Sequence, residues 1–306
     1  MRRRLWTSRL GLFGIAMILA VWLAGCSGNS LNTTHRQLAA TRLSGGQMVP
    51  PVATAAIGTA SVTVNREPTI LGMKGRRTVD VRLQTTGLSM TSVTGITLND
   101  GKVNTNGPVI FNLFTQMPGS LYTGTLSVRM SANDFAQLAT GGPLTYDQAI
   151  DDVLNGNAYL MVLTSAHPTG EIRGQVGPTA FQVALTGTGT SATGSASVKL
   201  NDMQTAIMVQ LTHQGLPDTI TAMNIRLGSG GVTNGPLLFT LFSNPTGGTL
   251  TSPFSVQLSS ANFVVQSGSG ISSFPDAIDA MLQSKTVLTV ETASGAIIYG
   301  QIVPAP

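Results

Sequence analysis

The sequence predicts an all-β protein of two tandem antiparallel domains, each a β-sandwich or Greek-key barrel with one short helix. Internal repetition is the first observation. "GTASVTVN" (58–65) recurs as "GSASVKLN" (194–201), "NGPVIFNLF" (106–114) as "NGPLLFTLF" (234–242), and "YDQAIDDVL" (146–154) as "FPDAIDAML" (274–282). The second observation is a period of two. "ASVTVN", "TVDVRLQT", "TGTLSVRM" and "AYLMVLTSA" alternate or run apolar, with β-branched residues, between Gly, Asn, Pro and Ser breakers. The third is the single segment per copy that breaks this period, and it lies before the last two strands.

Each element has a local reason. In "LTYDQAIDDVLNG", Tyr146, Ala149, Ile150, Val153 and Leu154 fall at helical spacing. Thr145 and Gln148 form a capping box, and Gly156 ends the helix. The second copy offers Ser273 as cap, followed by Phe274, Ala277, Ile278, Met281 and Leu282. The first landmark pair is offset by 136 residues and the next two by 128, so the first copy carries about eight extra residues between them. "REPTILGMKGRR" (66–77), a longer hairpin loop, is where they are expected. "GEIRGQV" (170–176) closes the first copy and "GAIIYGQIV" (295–303) the second.

The N-terminus reads as an address. Arg2, Arg3, Arg4 and Arg9 precede the apolar run Leu10 to Leu23, which at 14 residues is shorter than the ~20 needed to span a bilayer as a helix. Leu23, Ala24, Gly25 and Cys26 then resemble the lipobox of bacterial lipoproteins. That resemblance implies diacylation of Cys26, the only cysteine, and cleavage before it. The expected organisation is a lipoprotein signal over 1–25, a lipidated tether over 26–41, a first domain over 42–178 and a second over 179–306. A tether over 27–41 reaches at most roughly 50 Å if fully extended. The expected location is the cell envelope, lipid-anchored. Ser27 rather than Asp after the cysteine is compatible with the outer membrane in a Gram-negative cell.

Removing the signal also removes an apparent clue. Four of the 17 basic residues lie in it, which leaves 13 to balance the 13 acids. A neutral chain of this kind has no electrostatic footprint for nucleic acid. The one basic knot, Lys74 with Arg76 and Arg77, reads as a solvated turn. With the sole cysteine committed to lipid, no internal disulfide forms and stability rests on a core.

"LSGGQMVPPVATAAIGTASVTVN" (43–65), "NGPVIFNLF" and "VLNGNAYLMVLTSAHPTGEIRGQV", in that order, resemble the chordin-type (CHRD) domain of bacterial exported proteins. The resemblance covers nearly all of the first copy, and the middle and final "GQIV" of the second. It implies a β-rich extracellular module and does not imply an enzyme. Bacterial members commonly show a His-x-His pair in the strand before the "NGP" turn, which suggests metal ligation. Here Ile96 and Leu98 are expected at that pair, and the second copy also lacks histidine there, so no metal role is carried over.

The remaining candidates are weak. His35, His167 and His213 supply no converging zinc set, and His167 beside Pro168 reads as an exposed turn residue. Asp147, Asp151 and Asp152 could pair carboxylates or bind Ca²⁺, but a helix N-terminus and solvent account for them. No serine stands in a G-x-S-x-G elbow, and the glycine-rich 187–197 lacks the lysine of a phosphate loop. No catalytic residue, metal ligand or cofactor is assigned. Glu171 and Arg173, two apart on one strand face, are the residual candidates for an interaction surface on the first copy, with an envelope protein as partner. The reading is a non-catalytic binding or structural protein held at the membrane by Cys26. The alternative is a metal-dependent or redox envelope enzyme on a β-sandwich.

Overall fold

A computed structural model describes residues 33–68, 75–89, 91–136, 141–143, 145–216, 219–248, 252–265 and 268–306. The expected signal over 1–25, Cys26 and Lys74 lie outside the described residues. The chain divides into two compact units. One comprises residues 1–34 and 66–76, where Glu67 N donates to Arg76 O at 2.9 Å across the stem of the 66–76 loop. The other holds residues 35–65 and 77–306, and with them both β-domains.

The first domain is an eight-stranded antiparallel sheet. Its strands are β1 (Thr34–Ser44), β2 (Ile57–Arg66), β3 (Arg77–Thr86), β4 (Val93–Asp100), β5 (Val109–Thr115), β6 (Thr125–Met130), β7 (Ala158–Thr164) and β8 (Ile172–Val176). They run in the order β5-β4-β7-β8-β1-β2-β3-β6. The second domain repeats this with β9 (Thr179–Thr188), β10 (Thr193–Leu200), β11 (Ala206–Gln214), β12 (Ile220–Leu227), β13 (Leu237–Gly248), β14 (Phe254–Ser259), β15 (Thr286–Thr292) and β16 (Ile297–Gln301). Their order is β13-β12-β15-β16-β9-β10-β11-β14, and β17 (Val303–Pro304) adds to β9. Pairing of β1 with β8 and of β4 with β7 joins strands far apart in sequence, the Greek-key trait expected from the pattern.

Each sheet nearly closes on itself. Phe111 of β5 bridges Phe135, just past β6, and Ala136 N donates to Ile110 O at 2.9 Å. In the second domain Phe239 bridges Phe263, and Val264 N donates to Leu238 O at 2.9 Å. Closure leaves little free edge. The helices α1 (Tyr146–Leu154) and α2 (Phe274–Leu282) then pack their apolar stripes into the barrels. Thr145 and Gln148 form the expected capping box, and Ser273 accepts from Asp276 N. Phe111, Phe135 and Tyr146 stack edge to face with centroids 6.1–6.3 Å apart, and Phe239 stands 5.8 Å from both Phe263 and Phe274.

Two length expectations resolve differently. The longer loop between β2 and β3 is where the sequence put it, since 67–76 stands against 201–205. A second insertion lies upstream, where 45–56 joins β1 to β2 and 189–192 suffices in the second domain. Residues 34–41, expected to lie outside the first domain, are strand. Residues 34–41 belong to β1, because Leu38 and Ala40 fill the core and Ala39 is buried. The physical reason is alternation in "THRQLAATRLS", which buries one face in the barrel while the other meets the second domain.

Candidate functional site

The last strand of each domain gathers the buried polar side chains. Gln175 of β8 and Gln301 of β16 occupy the same register position, opposite Tyr159 and Val287. Gln175 Nε2 donates to the carbonyls of Gly101 (2.9 Å) and Gly156 (2.8 Å). Gln301 Nε2 donates to those of Gly228 (3.3 Å), Ser284 and Thr286 (2.9 Å). One amide thus ties the start of the β4–β5 or β12–β13 loop to the end of the helix. The preceding glycines are steric requirements: a Cβ on Gly174 would lie 2.6 Å from Leu43 Cγ, and one on Gly300 would run into the Ala184 carbonyl. This accounts for the "GQ" shared by both closing motifs.

Arg173 has no counterpart in the second domain, where Tyr299 takes its place. It is 1% exposed. Its guanidinium carbon lies 3.5 Å from the Tyr159 ring centroid. Nη1 donates to Thr105 O (2.8 Å), while Nη2 donates to Lys102 O (2.9 Å) and Gln175 Oε1 (3.2 Å). Burial pushes its pKa down to about 10, still far above neutrality, so the side chain stays charged. Glu171 does not pair with it. The Glu171 carboxylate accepts from Thr54 Oγ1 (2.7 Å) and Thr164 Oγ1 (2.8 Å). The expectation of an interaction surface on Glu171 and Arg173 is therefore corrected: the arginine faces a covering loop, not solvent, and both carboxylate oxygens of the acid are occupied.

The loop that Arg173 holds explains the asymmetry. Val103, between the two bonded carbonyls, packs in the hydrophobic core of the second domain, and Asn104 Nδ2 approaches Ser284 Oγ at 3.4 Å. The same junction is fastened along β1. Arg36 makes a bidentate pair with Asp202 (2.7 and 2.9 Å), Arg42 stands 3.1 Å from Asp276, and Ser44 and Gln47 both donate to Asp279 at 2.9 Å. Gln204, 1% exposed, accepts from Thr41 N (3.1 Å) and Oγ1 (3.2 Å) and donates to the carbonyls of Gln175 (2.9 Å) and Gly177 (3.1 Å). Sequence reasoning missed Gln204, because a glutamine in a polar turn carries no signal.

The other candidates occupy structural positions. Arg77 bridges Asp151 (2.8 Å) and Asp147 (3.6 Å). Asp152 and Asp100 each titrate above the usual carboxylate range because of burial; the charge of Asp152 adds to the effect on Asp100, and that of Asp151 adds to the effect on Asp152. His35 is a strand residue of β1, with Nδ1 2.6 Å from Asn65 Oδ1. His167 lies in a turn and is half-buried. His213 is half-buried in β11, which pushes its pKa down. Among the described residues, no three His, Cys, Asp or Glu side chains gather as a metal site.

Ile96 and Leu98, where the sequence seated the His-x-His positions, are core residues. Thr97 and Asn99, beside them on β4 and also buried, are hydrogen-bonded at 2.6 Å. The second-domain counterparts are Asn224 and Arg226, both 3.4 Å from Glu291 Oε1.

The CHRD domain family matches residues 39–176 and again 179–297. The chain belongs to the CHRD family. No curated protein and no solved structure was found to match it. Both CHRD domains keep the glutamine clamp, and only the first adds the buried arginine.

Two outcomes follow. Arg173→Met leaves the Lys102 and Thr105 carbonyls without their donor and should cost about 2–4 kcal/mol in urea unfolding of the full chain; a loss under about 0.5 kcal/mol would contradict the role given to it. Acid should loosen the junction. Hydrogen bonds from Arg36 hold Asp202 below the usual carboxylate range against partial burial. Burial pushes Asp276 up, but Ser273, Ser272 and Arg42 outweigh it and leave its pKa lowered. Both folded values lie below the unfolded ~3.9, so their stabilisation is present above about pH 4 and lost as pH falls through the folded values. Small-angle scattering should show the maximum dimension growing between about pH 4 and pH 2 and constant above about pH 5.

Proposed function

We propose that this CHRD protein is exported, anchored at the cell envelope through lipid on Cys26, and acts there as a non-catalytic binding or structural module. The observation that carries the anchor is "LAGC" at 23–26, directly after a basic and apolar run, in a chain with a single cysteine. With β1 beginning at Thr34, a tether over 27–33 holds the first domain within about 25 Å of the lipid. Support for the non-catalytic reading comes from how the charges are used. Arg36, Arg42, Arg77, Arg129 and Arg226 each pair with an acid that joins strands, a helix or domains.

The test is metabolic labelling with a palmitate analogue. Incorporation should be lost in Cys26→Ser; no incorporation, or incorporation unchanged in the variant, would overturn the anchor. Stoichiometric zinc or copper in the purified protein would overturn the non-catalytic reading.

A further inference from the structure

The connections of the first domain divide by charge between its two ends. Those at the end where β1 starts carry Glu67 and Arg76 in 67–76, Lys102 in 101–108, and Asp134, Asp147 and Asp152 in 131–157. The four at the other end, 45–56, 87–92, 116–124 and 165–171, hold a single Lys, Arg, Asp or Glu between them, Glu171, and both its oxygens accept from threonine hydroxyls. This end is one interlocked platform. Thr54 Oγ1 donates to Glu171 at 2.7 Å, Ser165 N to Ser92 O at 2.8 Å, Gln116 N to Thr94 O at 3.0 Å and Thr85 N to Gly124 O at 2.8 Å.

The tip of the platform is held outward. In "MPGS" (117–120) Pro118 and Gly119 (φ +85°) take the central positions of a β-turn, and Ser120 N donates to Met117 O at 3.0 Å. The Ser120 hydroxyl closes the turn again, accepting from Met117 N (2.8 Å) and donating to Met117 O (3.0 Å). The inward position is already filled by Tyr122, which is buried against Phe114 at 6.0 Å between centroids with its hydroxyl 3.0 Å from Thr85 Oγ1. Met117 and Leu121 are left 65% and 59% exposed, and Pro50, Pro51, Ala166 and Pro168 are exposed on the neighbouring loops. Two large apolar side chains on a stiff turn are a pre-organised contact.

A bilayer fits this end poorly. Segments that enter lipid carry basic or aromatic side chains for the headgroup region, and these four loops expose neither. Thr34 opens β1 at the opposite end, roughly 36 Å away along eleven extended residues, so an attachment at the N-terminus does not bring this end to a membrane. A second copy of the chain fits better. In a two-fold contact one patch serves both partners and must be complementary to itself. A patch without charge meets that condition with no like-charge repulsion, and charge-poor surface containing methionine is what the centre of a protein interface uses.

We propose that two copies of the chain associate through this end of the first domain, with the Met117 and Leu121 tips packed against each other about a two-fold axis. The inference rests on the reading of the protein as a binding or structural module, for which it names the partner, and not on the lipid anchor. The contact is small, at the weak end of specific interfaces, so monomer and dimer should exchange at roughly 10–100 µM. The experiment is cysteine cross-linking of the full chain carrying Leu121→Cys, in membranes of the expressing cells, with copper phenanthroline as oxidant and mass spectrometry of the linked peptides. A disulfide joining position 121 of two copies is expected, and reading the link at 121 separates this contact from any dimer through an unlipidated Cys26. Adding Met117→Asp, which sets two carboxylates against each other across the axis, should lower the yield roughly tenfold. Val265→Cys, at a side chain equally exposed elsewhere (66%), should give no link between copies. Absence of the 121–121 link, a yield no greater than that of Val265→Cys, or a yield unchanged by Met117→Asp would each overturn the proposal. So would a thiol at 121 shielded from a polar maleimide without dimer, which points to a bilayer, or a link to a different protein. If Leu121→Cys does not accumulate, Met117→Cys in its place decides by the same outcomes, with Leu121→Asp as the added charge.

Discussion

Buried carbonyl oxygens at the ends of loops must find donors, and the architecture depends on how the last strand of each domain supplies them. A barrel closed by a helix leaves the carbonyls of Gly101 and Gly156, or Gly228 and Ser284, pointing inward, where an unpaired acceptor is costly. One glutamine amide serves both carbonyls in each domain. The first domain adds Arg173 because its β4–β5 loop has a second task, carrying Val103 into the core of its neighbour. A buried guanidinium without a carboxylate is tolerated because its donors reach three oxygens and its plane lies on Tyr159.

This changes what the charges signify. In a chain with so few ionisable groups, an acid and a base two residues apart invite reading as a site. In the fold they separate into unrelated jobs: Glu171 joins the β1–β2 insertion to the end of β7 through two threonines, and Arg173 organises a docking loop. Much of the charge is spent inside and between domains.

The fold was legible because its signals are local and duplicated. Alternation in "ASVTVN", the capping box at Thr145 and the helical stripe from Tyr146 to Leu154 each specify an element without reference to the rest of the chain. The start of β1 was hidden because "THRQL" opens polar and exposed, and its pairing with β8 spans nearly the whole domain. The junction was illegible for the same reason. Gln204 bonds Thr41 and Gln175 across gaps that no periodicity reports, and the burial of Arg173 depends on a loop some seventy residues upstream.

This junction holds the two CHRD domains as one body. The most direct test is native-state amide hydrogen exchange at Ala39 and Thr41, whose N–H groups donate across the junction to Asp202 O (2.9 Å) and Gln204 Oε1 (3.1 Å). Both amides should exchange as slowly as core amides of β3 and β11, through the same large opening. Exchange of Ala39 and Thr41 orders of magnitude faster than those cores would show domains that part freely and would contradict it.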